Sequence, residues 1–351
     1  MLASLLFCGS AQAEILIGVA GPMSGQNAGF GEQMKRGAQA AIDQVNQNGG
    51  INGEQLSLVA ADDSCDARRA VAVAQDFVAK DVRFVVGHFC SGAALAAAET
   101  YGKADIVMLA PSASNPRLTE ENRWNVLRLA ARDDAQADAA IARISSEMPA
   151  AKIAVITDGT PGMAALVGRI SGSAPIVIKP GEKSFPLAVE AIRASGATVV
   201  YLACAGAEAG ILAGQMLDSG ITAKIFGPDT LLADTFWERA GNAGEGALAT
   251  FTRDPVASPK AQSLIAFLGA ADISSDGATL PSYAAVEVFA AAAKAKSVND
   301  GKAMAQWLKS GNRVETVLGA ITFNSKGDVV PPRLDWYRWS QGSYSRDTPL
   351  N

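Results

Sequence analysis

Histidine is nearly absent from this chain, which has one among 351 residues, His88. Zinc sites in proteins are built from clusters of cysteine and histidine, so a single histidine argues against a zinc centre. A hydrolase needs a nucleophile beside a base, and the one histidine lies two residues from Cys90, which we expect to be oxidised. The scarcity therefore argues against an enzyme, and a secreted hydrolase is the least favoured class.

Blocks of like charge are also missing, and the formal net charge is −5. A nucleic-acid-binding protein concentrates lysine and arginine on one face, so this composition argues against nucleic acid as a partner. Aromatic residues make up only 6% of the chain, whereas apolar residues together make up 49%. At this length such a composition favours a compact α/β protein of two domains over a disordered chain. The sequence shows no proline- or serine-rich linker and no transmembrane span.

Residues 1–13 form an apolar segment that ends in the small residues Ala11-Gln12-Ala13, directly before Glu14. This order is typical of a secretory signal peptide with its cleavage site. A buried first strand is the alternative, but Ile15–Ala20 already supplies that strand. We therefore expect an exported mature chain that begins at Glu14.

Apolar β-branched runs alternate with amphipathic helical patterns along almost the whole chain. A βαβ succession of this kind predicts a parallel sheet with right-handed crossovers. A second series starts near Asp134 without visible sequence repetition, so two similar lobes are expected. The predicted strands are Ile15–Ala20, Leu56–Ala61, Arg83–Val86, Ile106–Leu109, Lys152–Thr157, Ala174–Ile178, Thr198–Leu202, Lys224–Gly227, Ala320–Phe323 and Arg333–Trp339. The predicted helices include Ala67–Ala79, Ser91–Tyr101, Asp134–Ser146, Met163–Ile170, Phe185–Ala194 and Ala207–Asp218, with further helical patterns around Leu264, Val286 and Trp307.

Two of the predicted strands lead into loops of small hydroxyl residues. One strand is followed by His88-Phe89-Cys90-Ser91-Gly92, and the next is followed by a loop with Ser112 and Ser114. In open α/β sheets, ligands bind beyond the carboxyl ends of the strands, where hydroxyls and free N–H groups at helix starts hold an anion. These loops therefore predict a binding cleft without catalytic machinery.

Removal of the first 13 residues leaves three cysteines, Cys65, Cys90 and Cys204. In an oxidising compartment one pair is expected to close and one thiol to remain. Cys65 lies in a polar loop and Cys90 at the end of the next strand, so their neighbouring strand ends could bring them together. Cys204 lies in an apolar run and is expected to be a small buried side chain. His88 is expected to be packed and hydrogen-bonded beneath the cleft.

Five short segments, in this order and at this spacing, give a specific resemblance. They are Ile17–Gly25 (IGVAGPMSG), Asn48–Gly53 (NGGING), Ala61–Asp66 (ADDSCD), Val86–Ser91 (VGHFCS) and Phe226–Asp229 (FGPD). With them the chain resembles the periplasmic leucine/isoleucine/valine-type substrate-binding proteins of ABC transporters, from Glu14 to about Trp339.

The resemblance implies an α/β architecture, the type I periplasmic-binding-protein fold with two doubly wound parallel-sheet lobes. One lobe would hold residues 14–130 plus 253–332, and the other residues 131–252 plus 333–351. In this family a hinge of three chain segments joins the lobes, which close around the ligand. Cys65 and Cys90 occupy the positions of the family disulfide.

The ligand contacts of the family carry over residue by residue. Ser91 and Ser114 match hydroxyls that hold the α-carboxylate of the ligand, and Ser112 matches a position whose backbone carbonyl accepts from the ammonium. Asp229 matches the acidic residue, usually glutamate, that meets the ammonium from the other lobe. Neutral donors at a helix start can hold a carboxylate, because the free N–H groups supply a partial positive charge. As structural alternatives, the two serines could be helix N-caps and Asp229 a cap or turn residue.

The aromatic part of the expected pocket departs from the family pattern. Phe30 stands where an aromatic residue lines the pocket wall, and packing in the core is an equal alternative. Two other family aromatics are missing, because the segment Asp158–Met163 is shortened and lacks its tyrosine, and Ala205 replaces another tyrosine. Leucine is therefore not carried over as the ligand. Trp336 and Trp339, spaced for one face of a short strand or turn, are expected to pack and not to stack on a ligand.

Together these features predict a periplasmic substrate-binding protein and not an enzyme. It is expected to capture an amino acid, or a related small carboxylate or amide, and to deliver it to an ABC permease in the inner membrane. It is expected to act as a monomer, with no metal or other cofactor. The alternative of another class is a ligand sensor of the same fold that signals to a regulator, and neighbouring genes would distinguish the two.

Overall fold

The computed structural model describes residues 14–160, 163, 166–170, 174–253, 259–271, 273–275 and 277–347. The signal peptide expected at residues 1–13 lies outside these ranges, as does part of the predicted helix Met163–Ile170. The chain divides into two compact units. Unit 1 comprises Met1–Ala113, Arg117–Ala130 and Pro255–Pro331, and unit 2 comprises Ser114–Pro116, Ala131–Asp254 and Pro332–Asn351.

Fourteen strands are present in the described residues. They are β1 (Glu14–Gly21), β2 (Gln55–Asp62), β3 (Phe84–Gly87), β4 (Val107–Ala110), β5 (Val126–Arg128), β6 (Ile153–Thr157), β7 (Ile176–Val177), β8 (Val199–Ala203), β9 (Lys224–Gly227), β10 (Leu248–Thr252), β11 (Val314–Thr316), β12 (Gly319–Ile321), β13 (Leu334–Ser340) and β14 (Ser343–Asp347).

The α-helices with described bounds are α1 (Ala28–Gln47), α2 (Ala67–Ala79), α3 (Ser91–Lys103), α4 (Arg117–Glu120), α5 (Asp133–Glu147), α6 (Pro186–Ser195), α7 (Gly206–Asp218), α8 (Asp234–Ala240), α9 (Pro259–Ala270), α10 (Thr279–Ala295) and α11 (Gly301–Lys309). Two short 3₁₀ helices, Asp229–Leu232 and Gly241–Gly244, flank α8. None of the helices in the described ranges is long and apolar enough to span a bilayer.

A five-stranded parallel sheet with the order β2-β1-β3-β4-β5 forms the centre of unit 1. The residues of β3 and β4 are all buried, as expected for parallel strands covered on both faces. One face packs on α1 and α10 and the other on α2 and α3. A β-carbon at Gly37 of α1 would lie 2.1 Å from the carbonyl oxygen of Thr279, so the close approach of α1 to α10 requires glycine there.

A seven-stranded sheet with the order β14-β13-β10-β9-β8-β6-β7 forms the centre of unit 2. The five strands from β10 to β7 are parallel, whereas β13 and β14 add to the edge in antiparallel orientation. Trp339 belongs to the core on one face, together with Phe236, and Trp336 packs on the core of the other face, against Phe226. The expectation that both tryptophans share one face is therefore wrong, because residues three apart on a strand point to opposite faces.

Outside the segment Met163–Ile170, the predicted strands and helices are present close to their predicted bounds. Four strands were not predicted, namely β5, β10, β11 and β14, and the predicted strand Ala174–Ile178 is reduced to the two residues of β7. Cys65 and Cys90 form a disulfide with Cα atoms 5.4 Å apart. The strands that precede them are not neighbours, because β1 lies between β2 and β3. Ser64 and Cys65 both adopt the left-handed backbone conformation, which shapes this loop.

Candidate functional site

The carboxyl edge of the unit 1 sheet carries the predicted serine loops. Ser91 is the first residue of α3 and follows Cys90, the N-cap residue, whose backbone is extended. Ser91 is therefore not the N-cap, and it starts the helical turn that offers backbone N–H groups to an anion. Ser112 follows the neighbouring strand β4, and both serines are partly exposed.

Ser114 lies beyond Ser112 in the same loop and belongs to unit 2. Its backbone carbonyl accepts a hydrogen bond from the N–H of Asp133, the first residue of α5, over 3.1 Å. Its side chain is partly exposed. The loop after β4 thus supplies predicted ligand residues to both units.

Phe30 lies in the first turn of α1, where its ring stacks on that of Phe89 with the centroids 4.6 Å apart and an angle of 18° between the planes. Phe30 is 39% exposed. Phe89 is partly buried and packs against the unit 1 core. Because one face of the pair is anchored in the core, Phe30 forms a surface aromatic platform and is not itself a core residue.

Asp229 is the first residue of the 3₁₀ helix that follows β9 in unit 2. Its backbone N–H donates to Oε1 of Gln136 over 3.0 Å, and the hydroxyl of Thr250 donates to the same oxygen over 2.8 Å. Gln136 and Thr250 are buried, whereas Asp229 is exposed. The 3₁₀ helix is also held by Thr230, whose hydroxyl donates to the carbonyl of Cys204 over 2.8 Å.

The carboxyl group of Asp229 has a pKa above its ordinary value of 3.8. Partial desolvation is the main cause, and the nearby charge of Asp133 adds to it. A side-chain hydrogen bond from Gln136 acts in the opposite direction and favours the ionised form. Although Asp229 reaches solvent, its negative charge is thus incompletely compensated within unit 2, which is the condition for attracting a cationic group.

His88 and Asp63 form a buried pair beneath the serine loop of β3. His88 Nδ1 lies 2.6 Å from Oδ2 of Asp63, and His88 Nε2 lies 3.1 Å from the hydroxyl of Tyr101. The other oxygen of Asp63 accepts from the N–H of Cys65 over 2.8 Å. The expectation of a packed, hydrogen-bonded histidine is confirmed. The pair connects the disulfide loop to the turn that leads into Ser91.

Asp62, the last residue of β2, accepts hydrogen bonds from the segments that follow β1 and β2. Its carboxylate accepts from the N–H groups of Met23 and Ser64, each over 2.8 Å, and from the hydroxyl of Ser24 over 2.6 Å. Arg69 lies 3.1 Å away. Desolvation raises the pKa of Asp62, but these hydrogen bonds outweigh it and bring the pKa to about 2.

Cys204, at the end of β8, is a buried free thiol, as expected. Burial raises the pKa of this thiol, and the charges of Asp158 and Glu208 contribute. A thiol of raised pKa is a poor nucleophile. Among the described residues there is also no group of three or more histidine, cysteine, aspartate or glutamate side chains placed to hold a metal ion.

Four residues that hold the site together had no predicted role, namely Gln136, Thr250, Asp62 and Asp63. The two aspartates lie in the ADDSCD segment, which is one of the five segments that support the family resemblance. The resemblance did not assign a role to either aspartate. Gln136 and Thr250 carry no local signal, since their partners are 93 and 114 residues away along the chain.

Comparison with known proteins gives concordant matches over nearly the whole chain. The family model described as periplasmic binding protein matches residues 14–342. The chain is 36% identical over 352 residues to Leu/Ile/Val-binding protein homolog 1 of Brucella suis biovar 1, covering 98% of this chain and 95% of that protein. It is 39% identical to an amino acid binding protein of Pseudomonas aeruginosa, covering 95% and 92%.

Solved structures show the same architecture. An ABC transporter substrate-binding protein of Desulfitobacterium hafniense in complex with Leu superposes with a TM-score of 0.71 at 23% identity, covering 95% of this chain and 100% of that one. At this identity the likeness concerns the fold, which agrees with the two parallel-sheet units described above.

Proposed function

The chain belongs to the periplasmic binding protein family, and from this membership we propose that it captures a free amino acid and delivers it to an ABC permease. Members of the family are substrate-binding proteins and not enzymes, and the chain has the type I fold of that family. Ser91, Ser112, Ser114, Asp229 and Phe30 are the proposed ligand contacts.

The observation that carries the proposal is the incompletely compensated carboxylate of Asp229. In the described part of the chain no ion pair joins Asp229 to a basic side chain, and the neighbouring Asp133 adds to the negative potential. An ammonium group would supply the missing counter-charge. Burial of such a pair is favourable only when hydrogen bonds accompany it, which selects for ligands with a correctly placed N–H donor.

The neutral serine loops that follow β3 and β4 suit the other end of an amino acid. Ser91 at the start of α3 would donate to the α-carboxylate with the first N–H groups of the helix, and the hydroxyl of Ser114 would add a second donor. The backbone carbonyl of Ser112 would accept from the ammonium. Phe30, anchored on Phe89, would contact the side chain of the ligand.

The remaining elements of the proposal follow from the family. The lobes, residues 14–130 plus 253–332 and residues 131–252 plus 333–351, would close around the amino acid by a hinge motion, and the closed form would bind the permease. The protein would act as a monomer in the periplasm after removal of residues 1–13. The names of the relatives, Leu/Ile/Val-binding and amino acid binding, support an amino acid as the ligand.

A thermal-shift screen tests the proposal with the twenty proteinogenic amino acids, their amides and simple aromatic acids as separate probes. Calorimetry on the best probe then compares the natural protein with Ser91→Ala and Asp229→Ala. Loss of binding is expected in Asp229→Ala, because the ammonium is left unpaired, and weakening by about tenfold or more in Ser91→Ala. The exposed acid Asp218 provides the matched control, Asp218→Ala, which should bind normally. Absence of binding to every probe, or unchanged affinity in Asp229→Ala, contradicts the proposal.

A further inference from the structure

Gln136 joins three elements of unit 2 at the position of Asp229. It lies in the second turn of α5, its Oε1 accepts from the backbone of the 3₁₀ helix at Asp229, and the same oxygen accepts from Thr250 of β10. Thr250 directly follows Ala249, which pairs with Gly227 at the end of β9. Gln136 is 8% exposed and Thr250 is fully buried.

The two donors determine which way the amide of Gln136 faces. The N–H of Asp229 can only donate, so the group opposite it must be the amide oxygen and not the NH₂ group. Both lone pairs of that oxygen are then occupied. The NH₂ group is left to donate elsewhere, and the interaction of Gln136 with the carboxyl group of Asp229 lowers the pKa of that group and favours ionisation. Gln136 therefore holds the backbone at Asp229, the first residue of the 3₁₀ helix, by a direct hydrogen bond.

The other groups around this carboxylate oppose its charge. Asp133, at the start of α5, repels it, and desolvation disfavours the ionised form. Tyr201 of β8 is a buried phenol, which cannot carry a positive charge, and its own pKa is raised first by desolvation and then by the charge of Asp229. The amide of Gln136 is thus the side chain that counteracts this repulsion.

We propose that Gln136 is a positioning residue for ligand binding, which fixes the backbone of Asp229 and thereby the direction of its carboxylate, so that the ammonium of an amino acid meets it without reorganisation. The inference rests on the proposed function for its ligand, but its structural part concerns unit 2 alone. Preorganisation of this kind raises affinity because the cost of ordering the group is met during folding and not on binding.

The first test requires no ligand and measures the titration of Asp229 by carboxyl ¹³C NMR, with Asp229→Asn used to assign the resonance. The variant Gln136→Met keeps the length of the side chain and removes both hydrogen-bonding groups. Its Asp229 titration is expected to shift to higher pH by about half a unit or more. Thr250→Val, which removes only the second donor to the amide oxygen, is the matched control and should shift it less. An unchanged titration in Gln136→Met overturns the inference.

The second test measures affinity for the amino acid that gives the largest shift in the thermal screen and for its desamino analogue. Gln136→Met is expected to weaken binding of the amino acid about tenfold, with a smaller effect on the desamino acid. Equal weakening of both ligands indicates a general structural role and contradicts positioning. Gln136→Leu, which also lacks both hydrogen-bonding groups, serves as a second variant if Gln136→Met folds poorly, and it should show the same selective loss.

The two proposals fail in different ways. If the natural protein binds no amino acid while the titration shifts in Gln136→Met, the proposed function is wrong and the support of Asp229 by Gln136 stands. If amino acids bind to the natural protein and to Gln136→Met alike, the proposed function stands and the positioning role is wrong.

Discussion

His88 and Asp63 face one another inside unit 1, with Nδ1 and Oδ2 separated by 2.6 Å and neither side chain exposed to solvent. The other side-chain hydrogen bonds of the pair connect it to the disulfide loop through Cys65 and to α3 through Tyr101. The serine loop after β3 therefore packs on a buried polar cluster whose side-chain hydrogen-bonding groups have partners. Replacement of one member of such a cluster is costly, because it leaves another buried polar group without a partner.

We expect Asp63→Asn and His88→Ala each to lower the free energy of unfolding by about 3 kcal/mol, because each leaves a buried polar partner unsatisfied. Urea denaturation followed by circular dichroism measures the change. Tyr101→Phe, which removes only the hydroxyl contact, should cost about 1 kcal/mol. Strictly additive effects of Asp63→Asn and His88→Ala in the double variant would show that the two residues do not form one unit.

The disulfide between Cys65 and Cys90 closes a loop across 25 residues of sequence separation. In the chain-entropy model such a link stabilises the protein by roughly 3 to 4 kcal/mol. Reduction with dithiothreitol is expected to lower the melting temperature, and Cys65→Ser/Cys90→Ser should reproduce that loss and respond no further to reductant. Cys204→Ala is the control, because Cys204 is a free thiol and its replacement should leave the response to reductant intact. Free-thiol counts that include Cys65 and Cys90 would contradict the prediction.

Asp62 should make stability depend on pH in the acid range. Its pKa of about 2 lies below the ordinary 3.8, so its contribution is complete above pH 3.8 and is lost as the pH falls through about 2. The shift corresponds to about 2 kcal/mol. At neutral pH, Asp62→Asn should be less stable by up to about this amount, and the difference should vanish near pH 2. Asp81→Asn, at an acid with a 74% exposed side chain, is the control. A difference that persists unchanged at pH 2 would rule out the titration of Asp62 as the cause.

Asp229 should make stability depend on pH in the opposite sense to Asp62, since its pKa is raised. An acid with a raised pKa binds more protons in the folded state, so its charge lowers stability progressively as the pH rises above 3.8. Asp229→Asn is therefore expected to raise the melting temperature of the unliganded protein at neutral pH while it abolishes amino acid binding. This separation of stability from binding is typical of a functional residue. Scanning calorimetry at pH 4 and pH 7 measures it, and a lower melting temperature at pH 7 in Asp229→Asn contradicts it.

The local patterns of the chain were sufficient for most of the architecture. Alternation of apolar β-branched runs with amphipathic helical runs can be recognised from residues that are close together in the sequence. For this reason β9 and α2 were predicted at their observed bounds. Short strands at sheet edges carry too few residues for such a pattern. Every residue of β14 except the last is exposed, and β11 has three residues. Their strand conformation comes from pairing with β13 and β12.

The sequence by itself determined the fold class, the family, the residues expected at the binding loops and the disulfide partners, because each depends on composition, order or a local motif. Tertiary structure alone decided which groups support those residues. The disulfide crosses the end of β1, the two tryptophans of β13 lie on opposite faces, and Gln136 reaches Asp229 across 93 positions of sequence. The physical reason is that a hydrogen bond between distant residues requires the packing of whole elements, which no short segment of the chain specifies.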